Sequence, residues 1–126
     1  MKKILALLAT AFVAASAYAG EFPDISITEL KKAIDEKKVT VIDVNGTAGY
    51  KKGHVPTAID FAANKAKLAE VLPEDKNALI VAYCGGPSCK AYQAAANAAE
   101  KLGYKNVKHL SAGISGWLQA QEKTEK

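Results

Sequence analysis

Hydrophobic and polar positions along the chain alternate between two spacings. Ser26-Ile27-Thr28-Glu29 has the form of a capping box, with Ile25 and Leu30 placed as its hydrophobic staple. Ile27, Leu30, Ala33 and Ile34 then recur at helical spacing, which predicts a helix ending near Lys37. Val39 to Val44 and Ala78 to Tyr83 read instead as continuous apolar runs, the pattern of strands covered on both faces in a parallel sheet. Beyond the second run, Ala91, Ala94, Ala95, Ala98, Ala99 and Leu102 follow the i, i+3, i+4 rule. Lys90, Gln93, Asn97, Glu100 and Lys101 lie opposite, and Gly103 stands where a helix C′ glycine belongs. A further strand over Asn106 to Leu110, a glycine-containing loop and a short helix around Trp117 complete the pattern. Strands alternating with helices predict an α/β fold: one domain, an open parallel sheet flanked by helices on both faces.

The first residues do not fit that domain. Met1-Lys2-Lys3 is a positive segment, Ile4 to Ala15 an apolar one, and Ala17-Tyr18-Ala19 offers the small residues read by a signal peptidase. The apolar run is short of the ~20 residues needed to span a bilayer. The expectation is a secretory signal peptide over 1–19, a folded domain over 20–126, export to a bacterial periplasm and no stable membrane insertion after cleavage.

With 126 residues, 49% hydrophobic and 24% charged, the chain has the composition of an ordinary globule, which excludes disorder and a cysteine-rich mini-protein. The formal net charge is +4, but all 17 basic residues are lysines and two belong to the leader. No basic stripe interleaved with aromatics appears, so no nucleic-acid partner is expected. The absence of arginine excludes any bidentate guanidinium clamp on a phosphate or carboxylate.

Candidate chemistry concentrates in Tyr83-Cys84-Gly85-Gly86-Pro87-Ser88-Cys89-Lys90, which holds both cysteines of the chain. Cys84 comes off the end of an apolar strand ahead of a helix, where open α/β sheets bind ligands. Gly85 and Gly86 permit a curl in which successive N–H groups converge. The helix terminus, and Lys90 about one turn into that helix, add positive charge. Each favours a thiolate, which makes Cys84 a candidate nucleophile. Two other readings stand beside it. One is a structural disulfide between Cys84 and Cys89, suited to an oxidising compartment although so short a loop gives little entropic stabilisation. The other is a redox pair, although the spacing is not the C-x-x-C of redox motifs.

These residues carry a resemblance. The sequence resembles the single-domain rhodanese family of thiosulfate or persulfide sulfurtransferases, from Ile25 to about Leu118. Its markers are Val41-Ile42-Asp43-Val44, Gly53-His54-Val55-Pro56-Thr57-Ala58, Val81-Ala82-Tyr83-Cys84, Leu102-Gly103-Tyr104-Lys105-Asn106-Val107 and Ala112-Gly113-Ile114-Ser115-Gly116-Trp117. The resemblance implies that Cys84 takes sulfane sulfur from a small donor as a persulfide and passes it to a thiophilic acceptor, a small thiol or a protein, with ping-pong kinetics. It implies that Gly85, Gly86, Pro87, Ser88, Cys89 and Lys90 form the loop that holds the substrate sulfur. No cofactor is implied, and the chain is expected to act as a monomer. Typical members close this loop with arginine and often carry one after the Asp-Val pair; here Cys89, Lys90 and Asn45 stand in those regions. The loop has the length used by a related phosphatase family, but without arginine a phosphoryl transition state lacks its clamp, and phosphatase activity is not expected. Cys89 stands open as resolving thiol, disulfide partner or bystander. A non-catalytic sulfur carrier and a thiol-disulfide protein are the alternative functions.

Asp43, near the end of its strand, is a supporting candidate that either reaches the mouth of the site or organises neighbouring loops by hydrogen bonds. His54, in a turn leading to the next strand, reads as structural with a possible supporting role. With two histidines and no clustered carboxylates, no metal site is expected. Trp117 reads as core, and the polar tail from Gln121 to Lys126 as frayed.

Overall fold

A computed structural model describes residues 22–126; the leader expected over residues 1–19 lies outside them. The first helix, α1 (Ile27–Asp35), starts as its sequence dictates. Ser26 Oγ accepts from the Glu29 N–H at 3.0 Å, and Glu29 Oε1 accepts from the Ser26 N–H at 3.1 Å. Ile25 and Leu30 are both buried in one cluster, and the helix closes through Glu36 and a left-handed Lys37. There follow β1 (Val39–Asp43), α2 (Gly46–Lys52), β2 (Ile59–Asp60), α3 (Phe61–Asn64), a 3-10 turn (Lys65–Lys67) and α4 (Leu68–Val71). The second half comprises β3 (Leu79–Tyr83), α5 (Tyr92–Lys101), β4 (Asn106–His109) and α6 (Gly113–Gln119).

The four strands are all parallel, in the order β2-β1-β3-β4. Val41 lies opposite Val81 and Ile42 opposite Ala82, so the two apolar runs pair in register at the centre. Because successive side chains point to opposite faces, each run feeds two cores. Ile42, Ile80, Ala82 and Cys84 face α4 and α5, where Leu68, Tyr92, Ala95 and Ala99 cover them. Val41, Val81 and Tyr83 face α1 and α6, under Leu30 and Trp117. The open parallel sheet flanked by helices on both faces is thus present.

Two expectations are corrected. Helix α5 begins at Tyr92, leaving Lys90 in the loop before it. Its buried face is Tyr92, Ala95, Ala96 and Ala99, while Ala91, Ala94 and Leu102 are exposed. A run of alanines supports either of two adjacent stripes; Tyr92 decides between them by stacking on His109 at 3.4 Å, with Phe22 edge-on at 6.3 Å. The helix ends in a Schellman motif: Gly103 at φ +102° donates to the Glu100 carbonyl, and Tyr104 to that of Ala99.

The tail is not frayed. Glu125 and His54 exchange both backbone hydrogen bonds, at 2.8 and 2.9 Å. Glu125 Oε1 accepts from the Thr57 N–H, Trp117 Nε1 donates to the Lys123 carbonyl, and Lys31 pairs with Glu122 at 3.0 Å. The polar tail supplies acceptors for groups that would otherwise be buried without partners, which composition does not reveal.

Candidate active site

The strand order places β1 and β3 at the centre, with the chain running from β1 outward to β2 and returning to β3 on the other side. The crevice beyond their carboxyl ends is the topological switch point of an open α/β sheet. The segment following Asp43 and the loop beginning at Cys84 both emerge there.

The loop owes its path to α6. Ile114 N–H donates to the Cys84 carbonyl at 3.0 Å, and Ser115 N–H to that of Gly85 at 2.9 Å; Cys89 N–H then donates to the Gly86 carbonyl at 3.1 Å. In a trans peptide the N–H points opposite to the preceding carbonyl. The N–H groups of Gly85 and Gly86 therefore turn away from α6, and they donate to no acceptor among the described residues. Two unspent donors on successive residues form the start of an anion-holding curl. The approach of loop and helix is close. Gly113 has φ +64°, and a Cβ there would sit 2.5 Å from the Gly85 carbonyl carbon. Only glycine fits.

Cys84 is 1% exposed, its side chain on the α5 face of the sheet. Its sulfur is bonded to that of Cys89, with the Cα atoms 6.3 Å apart. The free thiolate expected from sequence is therefore not the state described; the disulfide is. Cys89 is half-buried against the same core, while Pro87, Ser88 and Lys90 are exposed.

Asp43 does not open onto the crevice. It is fully buried; its Oδ2 accepts from the Tyr83 hydroxyl at 2.6 Å and its Oδ1 from the Asn45 N–H at 2.8 Å. The same hydroxyl accepts from the Val55 N–H at 3.0 Å. Burial first, and the Asp43 hydrogen bond second, push the Tyr83 phenol far above its ordinary range. Of the two roles open to Asp43, organising the loops beyond β1 and β3 is the one its contacts serve. His54 is buried and stacks on Tyr50 at 3.7 Å. Its Nδ1 lies 2.8 Å from the Tyr50 carbonyl and so carries the proton. It sits among the residues on the other side of the sheet and does not join Cys84.

The structural roles of three residues escaped the sequence reading. Gly113 sets the loop; its left-handed φ has no local signature. Asn45 Oδ1 lies 3.9 Å from where a Gly85 Cβ would be, bordering the loop. His109 packs beneath Tyr92 on the Cys84 face with Nε2 unpartnered, and burial lowers its pKa against an opposing pull from Asp24. A groove of about 370 Å³ runs beside the loop, lined by Asn45, Gly49, Lys52, Ile114 and Leu118. A larger cavity of about 550 Å³ lies under the tail, and neither is lined by a residue of the Cys84–Lys90 loop. Among the described residues no group of three or more His, Cys, Asp or Glu side chains is arranged to hold a metal, and no helix is long and apolar enough to cross a membrane.

Fold and loop together define a class: a doubly wound α/β protein presenting a cysteine loop at the carboxyl end of a central strand. The family model for the rhodanese-like domain matches residues 26–120, and the chain belongs to that family. It is 36% identical over 118 residues to the HTH-type transcriptional regulator Rv0324 of Mycobacterium tuberculosis, covering 90% of this chain. The chain spans about half the length of that relative, 50%. Among solved structures, the BH2092 protein of Bacillus halodurans superposes with a TM-score of 0.71 at 29% identity, covering 92% of this chain and 84% of the other. A human single-domain sulfurtransferase, TSTD1, superposes with a TM-score of 0.59 at 20% identity, covering 77% of this chain and 96% of the other; that likeness is one of fold.

Proposed function

We propose that the protein is a sulfurtransferase of the rhodanese type, moving sulfane sulfur from thiosulfate or a persulfide to a thiol acceptor through a Cys84 persulfide. The observation that carries this reading is the placement of Cys84 at the switch point, in a loop whose carbonyls are tied to α6 and whose Gly85 and Gly86 N–H groups are unspent. With the disulfide reduced, the Cys84 thiolate attacks the outer sulfur of thiosulfate. Sulfite departs with the bonding pair, and the sulfur stays on Cys84 as a persulfide. The unspent N–H groups stabilise its terminal charge by the logic of an oxyanion hole. An acceptor thiolate then removes that sulfur and restores Cys84, a two-step cycle with ping-pong kinetics. Lys90, exposed at the end of the loop, attracts an anionic donor without clamping it. The leader pattern supports action in a bacterial periplasm.

Intact mass of the reduced chain after incubation with thiosulfate or polysulfide tests this. A Cys89→Ser chain, whose one thiol is Cys84, should gain one sulfur atom, lost again on adding cyanide, and Cys84→Ser should gain none. Sulfur uptake by the Cys84→Ser chain overturns the reading. The Cys84–Cys89 bond favours a second reading, a thiol-disulfide protein. On that reading the chain loses two hydrogens on mild oxidation, releases no sulfide, and the Cys89→Ser chain gains no sulfur.

A further inference from the structure

The persulfide cycle leaves Cys89 without a task, yet the fold holds it where its sulfur bonds to Cys84. We infer that Cys89 discharges the Cys84 persulfide internally, so that the protein releases hydrosulfide from sulfane donors at the expense of a dithiol reductant. This rests on the persulfide reading above and assigns that site a second activity.

The placement is built in. The Cys84 and Gly85 carbonyls are held by Ile114 and Ser115, and the Gly86 carbonyl by the Cys89 N–H itself, so the turn between the two cysteines is fastened at both ends. Gly113 permits that fastening, since any Cβ there would strike Gly85. Cys89 also packs against the core that contains Cys84. A thiol held this way meets its target at an effective concentration of order millimolar or above, so an external acceptor must compete with it.

The chemistry closes without an outside oxidant. The Cys89 thiolate attacks Cys84 Sγ, the inner sulfur of the persulfide. The new S–S bond forms as the bond to the sulfane sulfur breaks, and hydrosulfide leaves with the electron pair. The sulfane sulfur gains two electrons, and the two cysteine sulfurs together give up two. The product is the disulfide seen in the structure. Exposure gives the reset a direction. Cys84 is 1% exposed and Cys89 is half-buried, so a dithiol reaches the Cys89 sulfur first. Cys84 departs as a thiolate, and the second thiol of the reductant closes on the first, freeing Cys89. Cys84 is then ready for another donor.

A single-turnover experiment on the reduced full chain, freed of reductant and mixed with thiosulfate or an organic persulfide, tests this. Wild type should release about one sulfide per chain and finish two hydrogens lighter than the reduced form. Cys89→Ser and Cys89→Ala should release at least about tenfold less sulfide and retain one added sulfur until an external thiol is supplied. If wild type keeps its added sulfur as long as the Cys89 variants and yields no sulfide, the inference is overturned while the persulfide reading stands. If neither wild type nor variants gain sulfur or yield sulfide, the persulfide reading falls and takes the inference with it.

Discussion

At the scale of single residues, the site depends on one hydrogen atom. Gly113 has no side chain, and the Gly85 peptide passes where a Cβ would be, 2.5 Å away. Gly113→Ala must shift the loop or the start of α6 and also strains a left-handed φ. Its expected cost is about 2 kcal/mol or more. Urea unfolding measures that loss, and a slower alkylation of reduced Cys84 than in wild type would register the displaced loop; unchanged values for both would refute this account. Cys84 was legible in the sequence because a cysteine directly after an apolar strand and before two glycines has few other uses. Gly113 was legible only as one marker among others, because its partner across the gap is 28 positions away in the chain. Asp43 shows the same limit. Its place at a strand end could be read, but only the register of β1 against β3 puts the Tyr83 hydroxyl on its carboxylate.

Among elements, the docking of α5 on β4 turns on the stack of Tyr92 and His109. Burial favours the neutral imidazole, with Asp24 opposing, so the folded pKa lies below the unfolded one. Above the ordinary histidine range both states are neutral and the stack contributes fully. As pH falls below that range the unfolded chain takes up a proton before the folded one does, and stability is lost. Unfolding free energy should therefore drop between about pH 7 and about pH 5, and drop less in His109→Phe, which keeps an aromatic ring beneath Tyr92. Equal drops in the two proteins would rule this out. The periodic elements themselves were readable where the pattern was unambiguous, as in the capping box of α1 and the apolar cores of β1 and β3. The buried face of α5 was not, since alanines on adjacent stripes bury equally well until a large ring fixes the rotation. The short pieces between β1 and β3 escaped individual reading because α3 and α4 have four residues each, too few to display a period.

For the molecule as a whole, the carboxyl-terminal tail closes the side of the sheet opposite Cys84. Ending the chain after Glu122 removes the acceptor of the Trp117 indole and the partner of the His54 backbone. The expected loss is about 2 kcal/mol, or a midpoint lower by about 10 °C in a calorimetric scan. A midpoint unchanged on truncation would mean that the tail contributes nothing to stability. By itself the sequence determined the fold class, the central strands, the first helix and the cysteine loop. Each of these follows from side chains spaced along one stretch of backbone, where periodicity and caps act locally. Only the tertiary structure decided which alanines are buried, what Asp43 and Gly113 touch, where the tail lies and that Cys84 meets Cys89. These outcomes depend on pairing between distant segments, where one large ring, one missing Cβ or one unpaired carbonyl selects among arrangements that the local pattern leaves nearly equal in free energy.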